Sequence, residues 1–478
     1  MSKKSILLMI LTVFICINFS VSIYAEPATS TGAVSTETTT ESSDTATEEE
    51  DDSPAPHAKA ALLIDMKSGK VLFSKNESAK MYPASTTKIL TAIVTLENAN
   101  LEDIVVAQTE AISPITNQHS HMGILIGEEL SVEQLLYGML VYSANDAANV
   151  LAVHTAGSIE AFCEKMNAKA KELGAKNTHF TNPHGFHDDN HYTTAEDIAL
   201  IAKYAMQNEK FREIVSTAMY TIEPTNKYKE IRYLSNTNHL VSNRRTYEYY
   251  YKKATGIKTG FTDEAGSCLV SSAKDGETEF LAVVMNCENA TLTSQGAYSF
   301  VDSKKLLQYG FENYKYTTIV TTEDIVADSA VYESKNNVRI ALTPETPISA
   351  LLPKGINLEE IEMRTLLNEK IAAPIEKGEI LGTVECVYNG EVVGTANLAA
   401  LNDVKRDYII TVIHIFVKII TNPVFIIVVL LLLFMIIRAK KIRNRKRRIR
   451  RTRLEHVSSD ASYPSHRDTS IYKHRRNR

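Results

Sequence analysis

Three short stretches carry residue types suited to nucleophilic chemistry. Pro83-Ala84-Ser85-Thr86-Thr87-Lys88 leads into the helical run Ile89-Leu90-Thr91-Ala92-Ile93. With Ser85 at the helix start, Lys88 lies three residues on along the same face, within reach of the Ser85 hydroxyl. A serine hydroxyl is a weak nucleophile until its proton is removed. A lysine removes that proton only as a neutral amine, its pKa lowered by burial or by a neighbouring cation. The helix start also points peptide N–H groups and the positive end of the dipole at a developing oxyanion. Taken alone, the spacing reads first as a helix with Ser85 as a plain N-cap. Tyr142-Ser143-Ala144-Asn145 separates two amphipathic segments. A break in helical geometry there can turn Ser143 and Asn145 to one side, to relay a proton and hold a substrate amide; Ser143, Asn145 and Asp146 are equally good helix starters. Ile257-Lys258-Thr259-Gly260-Phe261-Thr262 reads as an edge strand with a cation, a hydroxyl and a glycine that lets another chain lie close. Such a strand can bind an extended peptide by β-addition, with Lys258 and Thr259 meeting its terminal carboxylate.

These stretches need a frame. Residues 60–65 and 70–74 are apolar runs around Lys67-Ser68-Gly69 and read as a hairpin. Residues 86–97, 131–141, 146–156, 159–173 and 194–206 repeat apolar residues at helical spacing. Strands return at 256–261, 267–273 and 279–286, with Asp275-Gly276 the tightest turn signal, and a helix over 296–309 closes the unit. Strands at both ends with helices between predict one mixed α+β domain whose sheet is built from both ends. Beyond Phe311 come short strands at 318–320, 338–342 and 384–388 with Pro344, Pro347, Pro353, Pro374 and Asn389-Gly390 at turns, a small β-rich domain.

The 478 residues allow two or three domains, and 44% hydrophobic content excludes a wholly disordered or collagen-like chain. The net charge of −5 averages an acidic N-terminal stretch with a basic C-terminal one. Lys3 and Lys4 precede an apolar run ending at Ala25, the pattern of a secretory signal cleaved after Ala25, with an uncleaved anchor as the rival. Residues 26–56 lack Lys and Arg and read as an acidic, disordered Thr/Ser-rich linker, order returning at His57. Residues 419–437 are apolar, interrupted by Asn422 and Pro423, and extend roughly 28 Å as a helix, enough to span a bilayer. Residues 409–420 read either as an interfacial segment, with Thr411, His414 and Lys418 on one stripe, or as an extension of the span. The Lys/Arg cluster from Arg438 onward places 438–478 in the cytoplasm and everything before the span outside, with anionic lipid head groups rather than nucleic acid as the partner of the tail. Cys163, Cys268, Cys287 and Cys386 lack metal-ligand spacing and read as free buried thiols, one disulfide remaining possible.

The order SxxK, SxN, KTG resembles the penicillin-binding protein and serine β-lactamase superfamily, nearest to the low-molecular-mass D-alanyl-D-alanine carboxypeptidases. Asn182-Pro183-His184-Gly185 and Gly256-Ile257-Lys258-Thr259-Gly260 reinforce it. The resemblance implies a β-lactamase/transpeptidase-like domain over 57–314, an antiparallel sheet packed by helices beside a helical lobe. A small all-β domain over 315–403, an amphipathic segment and transmembrane helix over 409–437, and the basic tail would follow. It implies Ser85 as the acylated nucleophile, Lys88 as general base, Ser143 and Asn145 as proton relay and amide holder, and Lys258 with Thr259 as carboxylate clamp. Gly260 completes that motif, and the N–H groups of Ser85 and Phe261 form the oxyanion hole. The implied substrate is the peptidoglycan stem pentapeptide, losing its terminal D-Ala, with β-lactams as covalent inhibitors and no metal or organic cofactor.

The chain departs from the family's habits in two places. Phe261 stands where histidine is common, and residues 288–300 contain no arginine near the expected carboxylate site. Carboxylate binding is therefore expected to rest more heavily on Lys258 and Thr259. His184, His187 and His191 with Asp188 and Asp189 read as loop residues rather than a metal site. Tyr247, Tyr249, Tyr250 and Tyr251 read as a cleft rim or as half-buried strand residues. A DD-endopeptidase uses the same residues; a β-lactamase needs a further carboxylate, and no ExxLN-like segment lies between Asn145 and Lys258. A non-catalytic wall-binding scaffold is the alternative outside enzymology.

Overall fold

The computed structural model describes residues 53–116, 119–244, 246–288 and 297–459. The expected signal, nearly all of the acidic linker and residues 460–478 of the tail lie outside the described residues. The fold takes hold before His57: Ala55 is buried, and Lys75 donates to the carbonyls of Ala55 and Pro56.

The hairpin of β1 (Ala58–Asp65) and β2 (Val71–Lys75) forms where expected. Its turn is held by Asp65, whose Oδ2 accepts both the N–H and the hydroxyl of Ser68. Five helices follow the periodicity closely: α1 (Lys88–Asn98), α2 (Val132–Val141), α3 (Asn145–Ala156), α4 (Ile159–Glu172) and α5 (Ala195–Ala205). Side-chain caps set three starts, a Ser131–Gln134 capping box for α2 and Ser158 and Thr194 for α4 and α5. The periodicity missed α6 (Glu209–Ser216), a short helix capped by Asn208 that buries Phe211, Ile214 and Val215. Strands β3 (Ala254–Thr262), β4 (Gly266–Asp275) and β5 (Thr278–Cys287) precede α7 (Ala297–Asn313).

The sheet runs β2-β1-β5-β4-β3, antiparallel throughout, so strands from both ends of the domain do meet at β1 and β5. Alternation along β1 sends Ala60, Leu62 and Ile64 into the core shared with α1 to α6, and Ala61 and Leu63 into the core under Phe300, Leu306 and Leu307 of α7. Both faces are covered, which is why Ala60 to Ile64 is continuously apolar. Each fully buried Leu, Ile or Phe contributes about 1.5–3 kcal/mol to this sandwich. The sheet ends at β3, so the Lys-Thr-Gly stretch lies on an edge strand as expected.

A second core, including Ile340, Leu342, Val384 and Leu398, belongs to the β-rich region. There β6 (Tyr314–Val320) pairs with β9 (Ile348–Pro353). A five-stranded sheet has the order β7 (Ala327–Ala330), β8 (Arg339–Pro344), β12 (Glu391–Ala400), β11 (Ile380–Tyr388), β10 (Glu362–Leu367). The Tyr316 hydroxyl donates to Asp65 Oδ2 at 2.6 Å, tying this region to the β1–β2 turn.

Val404 pairs with Ile375 and Arg406 with Ser334, so the chain leaving β12 stays fastened to the β-rich region. Asp407 then caps α8 (Tyr408–Thr421), and its N–H donates to Glu333. An unbroken extension of the span is ruled out, because Asn422 is extended and α9 (Pro423–Ser459) begins afresh. Pro423 is therefore no interruption; it occupies the first helical position, where its missing N–H costs nothing. Residues Pro423–Arg451 make one helix, among the described residues, long and apolar enough to cross a membrane, and the basic run continues it. All four described cysteines are free and buried.

Candidate active site

Ser85 sits in a 3-10 turn, Ala84–Thr87, directly before α1, and caps neither element. A 3-10 turn eclipses residues three apart, which brings Lys88 Nζ to 2.8 Å from Ser85 Oγ. Ala84 holds a left-handed φ of 45°, uncommon for a residue with a side chain. Two neighbours fix it there. The Thr87 hydroxyl donates to the Ala84 carbonyl at 2.8 Å, and a side chain at Gly185 would come within 1.8 Å of that oxygen. Since the Thr87 proton is so spent, His191 Nε2, 2.8 Å from Thr87 Oγ1, must donate, leaving Nδ1 to accept the Thr181 N–H at 3.1 Å. Burial holds His191 down to about 3 and His184 well below its ordinary value, so both rings are neutral supports. Gly185→Ala should strain this contact and shift Ser85, with penicillin acylation falling about 100-fold in a labelling assay.

Lys88 is fully buried, and its amine has two further partners, Asn145 Oδ1 at 2.6 Å and the His184 carbonyl at 2.7 Å. Both only accept. A neutral amine has two N–H bonds and one lone pair, so satisfying those acceptors leaves the lone pair for the Ser85 hydroxyl. Burial and the charge of Lys258 hold the Lys88 amine well below its usual value, against a smaller opposing pull from Asp146.

Ser143 takes a left-handed φ of 70° at the break between α2 and α3. Ala144 occupies the cap position of α3 without a side-chain bond, so neither Ser143 nor Asn145 is there for capping. The break sends Asn145 to Lys88 and Ser143 Oγ to Lys258 Nζ at 3.0 Å. Lys258, also fully buried, reaches the Thr259 carbonyl at 3.0 Å and is lowered by burial to about 7. Gly260 lets β3 lie against the serine turn, since an added Cβ would stand 3.0 Å from both the Ser85 nitrogen and the Pro83 carbonyl oxygen. All three stretches thus meet in two hydrogen-bonded groups, Ser85–Lys88–Asn145 and Ser143–Lys258–Thr259, joined through the backbone of residues 143–145.

Several groups escaped the sequence reading. Asn182-Pro183-His184-Gly185 gave no hint that its use is a main-chain acceptor for Lys88, with Asn182 Oδ1 holding the Gly185 N–H at 2.7 Å. Loop 119–125 reaches the site through the Ser120 carbonyl, which accepts the Asn145 N–H. Asp146 anchors that loop through the N–H groups of Met122 and Ile124. Arg232 grips it from the other side, bonding the carbonyls of Met122 and Gly123 while pairing with buried Glu128 at 2.7 Å. The tyrosine cluster is neither strand nor uniform rim: Tyr249 stacks on Phe300, whereas Tyr247 is exposed.

This arrangement defines a serine hydrolase of the penicillin-binding fold. The family described as D-alanyl-D-alanine carboxypeptidase matches residues 45–289, and the C-terminal domain of penicillin-binding protein 5 matches residues 314–406. The chain is 35% identical over 365 residues to the D-alanyl-D-alanine carboxypeptidase DacF of Bacillus subtilis, covering 75% of this chain and 88% of that one. It is 32% identical over 360 residues to DacA of Haemophilus influenzae, covering 73% and 86%. The crystal structure of penicillin binding protein 5 from Haemophilus influenzae is similar at a TM-score of 0.56 with 30% identity, covering 73% of this chain and 98% of that one. The chain belongs to the D-alanyl-D-alanine carboxypeptidase family.

Proposed function

We propose that this protein is a serine D-Ala-D-Ala carboxypeptidase that removes the terminal D-Ala from peptidoglycan stem pentapeptides through an ester on Ser85. The observation that carries the reading is the Lys88 amine, buried, flanked by two obligate acceptors and 2.8 Å from the Ser85 hydroxyl. Ser85 Oγ attacks the carbonyl of the penultimate D-Ala as its proton passes to Lys88. The N–H groups of Ser85 and Phe261 hold the oxyanion. The C–N bond breaks as the proton taken up by Lys88 passes by way of the Ser143 hydroxyl to the departing amine, and terminal D-Ala leaves. Asn145 holds the substrate amide; Lys258 and Thr259 hold the carboxylate. Water then cleaves the ester and restores Ser85. A β-lactam opened by the same attack leaves Ser85 acylated.

The test is D-Ala release from diacetyl-Lys-D-Ala-D-Ala, together with the lifetime of a fluorescent penicillin adduct on a gel. Release with a long-lived adduct supports the reading; rapid penicillin turnover without D-Ala release would identify a β-lactamase instead.

The apolar helix and the positive cluster that follows it support a single-pass anchor, with the catalytic domain outside the cell and the tail in the cytoplasm against anionic lipid. An N-terminal signal cleaved after Ala25 accounts for the export. Protease applied to intact cells should then remove the catalytic domain and spare a tag placed at the C-terminus.

A further inference from the structure

We infer that Thr237 is a third member of the carboxylate subsite, a specificity-determining hydroxyl beside Thr259; this rests on the carboxypeptidase reading. Thr237 lies between Asn236 and Asn238, both buried. Asn236 donates to the carbonyls of Val215 and Thr217 and accepts the Asn238 N–H, while Asn238 accepts the Leu240 N–H. The two asparagines therefore build the loop inward and leave the residue between them to face β3. The Thr237 N–H donates to the Val141 carbonyl, at the end of α2 just before Ser143, so the loop is pinned to the break that carries Ser143 and Asn145.

The half-buried Thr237 hydroxyl lies 2.7 Å from the Thr259 hydroxyl. A hydroxyl has one proton to give. If Thr259 stood alone, its proton would turn to the nearest fixed acceptor whenever no substrate is bound. With Thr237 donating to Thr259 Oγ1, the Thr259 proton is free to point at an incoming carboxylate. Lys258 Nζ, 3.5 Å from Thr259 Oγ1, stands on the same side and supplies the charge. No arginine occurs between residues 288 and 300, so the relay from Thr237 is what strengthens the clamp.

The experiment compares diacetyl-Lys-D-Ala-D-Ala with the same peptide capped as its C-terminal amide, for the wild type, Thr237→Val and Thr237→Ser. In Thr237→Val the preference for the free carboxylate over the amide, as a ratio of kcat/KM values, should fall about tenfold, mostly through KM. Thr237→Ser should restore it. An equal loss on both peptides, or a loss that serine does not rescue, would assign Thr237 to loop packing alone and overturn the inference. Failure of the underlying reading would look different, as a wild type that releases neither D-Ala from the free-acid peptide nor D-alaninamide from the capped one.

Discussion

Ser85→Ala lowers D-Ala release by about 10⁵–10⁶-fold and abolishes covalent labelling by penicillin, as expected when a nucleophile that must form a bond is removed. The fold should survive. The Ser85 side chain is half-buried, and its loss leaves Lys88 with its bonds to Asn145 and His184. A thermal melt within a few degrees of the wild type would show this. Retention of D-Ala release in a correctly folded variant would remove Ser85 from the chemistry and with it the acyl-enzyme route.

Lys88→Arg should cost about 10²–10⁴-fold in acylation, because arginine keeps a donor and a charge but cannot become a neutral base. The two lysines also predict the pH profile. Lys88 is lowered both by burial and by the charge of Lys258, whereas Lys258 is lowered by burial alone, to about 7. The acylation chemistry requires Lys88 to give up its proton first while Lys258 keeps its charge, and the two amines titrate as a coupled pair. Below the Lys88 pKa the base is protonated and kcat/KM falls; above that of Lys258 the clamp loses its charge and kcat/KM falls again. A bell results, whose two limbs belong to the coupled pair. Its acid limb should vanish from the residual activity of Lys88→Arg. A wild-type acid limb near the usual lysine value of 10.5 would contradict the burial-driven shift.

Much of the site was legible because its chemistry needs particular residue types at short spacings: serine with lysine one turn apart, serine and asparagine flanking a helix break, lysine and threonine on an edge strand. What stayed hidden acts through the main chain or through long-range packing. The His184 carbonyl contributes an atom every residue has. Ala84 takes a conformation that alanine disfavours, and only the approach of Gly185 and Thr87 across the fold explains it. Thr237 lies in a polar loop where nothing in the local sequence distinguishes it from Thr225 or Thr246. The frame was read well where both faces of a strand are buried, as in β1, and poorly where an element is short, as in α6. In the C-terminal apolar run, Asn422 and Pro423 read as interruptions because apolar composition does not reveal where a helix begins.

The fastening of residues 404–407 to Ile375, Ser334 and Glu333 leaves no slack between the β-rich region and α8. A loose tether would let a catalytic head sweep a volume that grows with linker length. If α9 spans a bilayer as proposed, the head would stand on α8 and the folded β-rich region rather than on a flexible linker. That mounting would confine the head to a narrow shell of substrate above the lipid, and a glycine-serine spacer inserted at residue 407 should widen the shell without touching a single reacting atom.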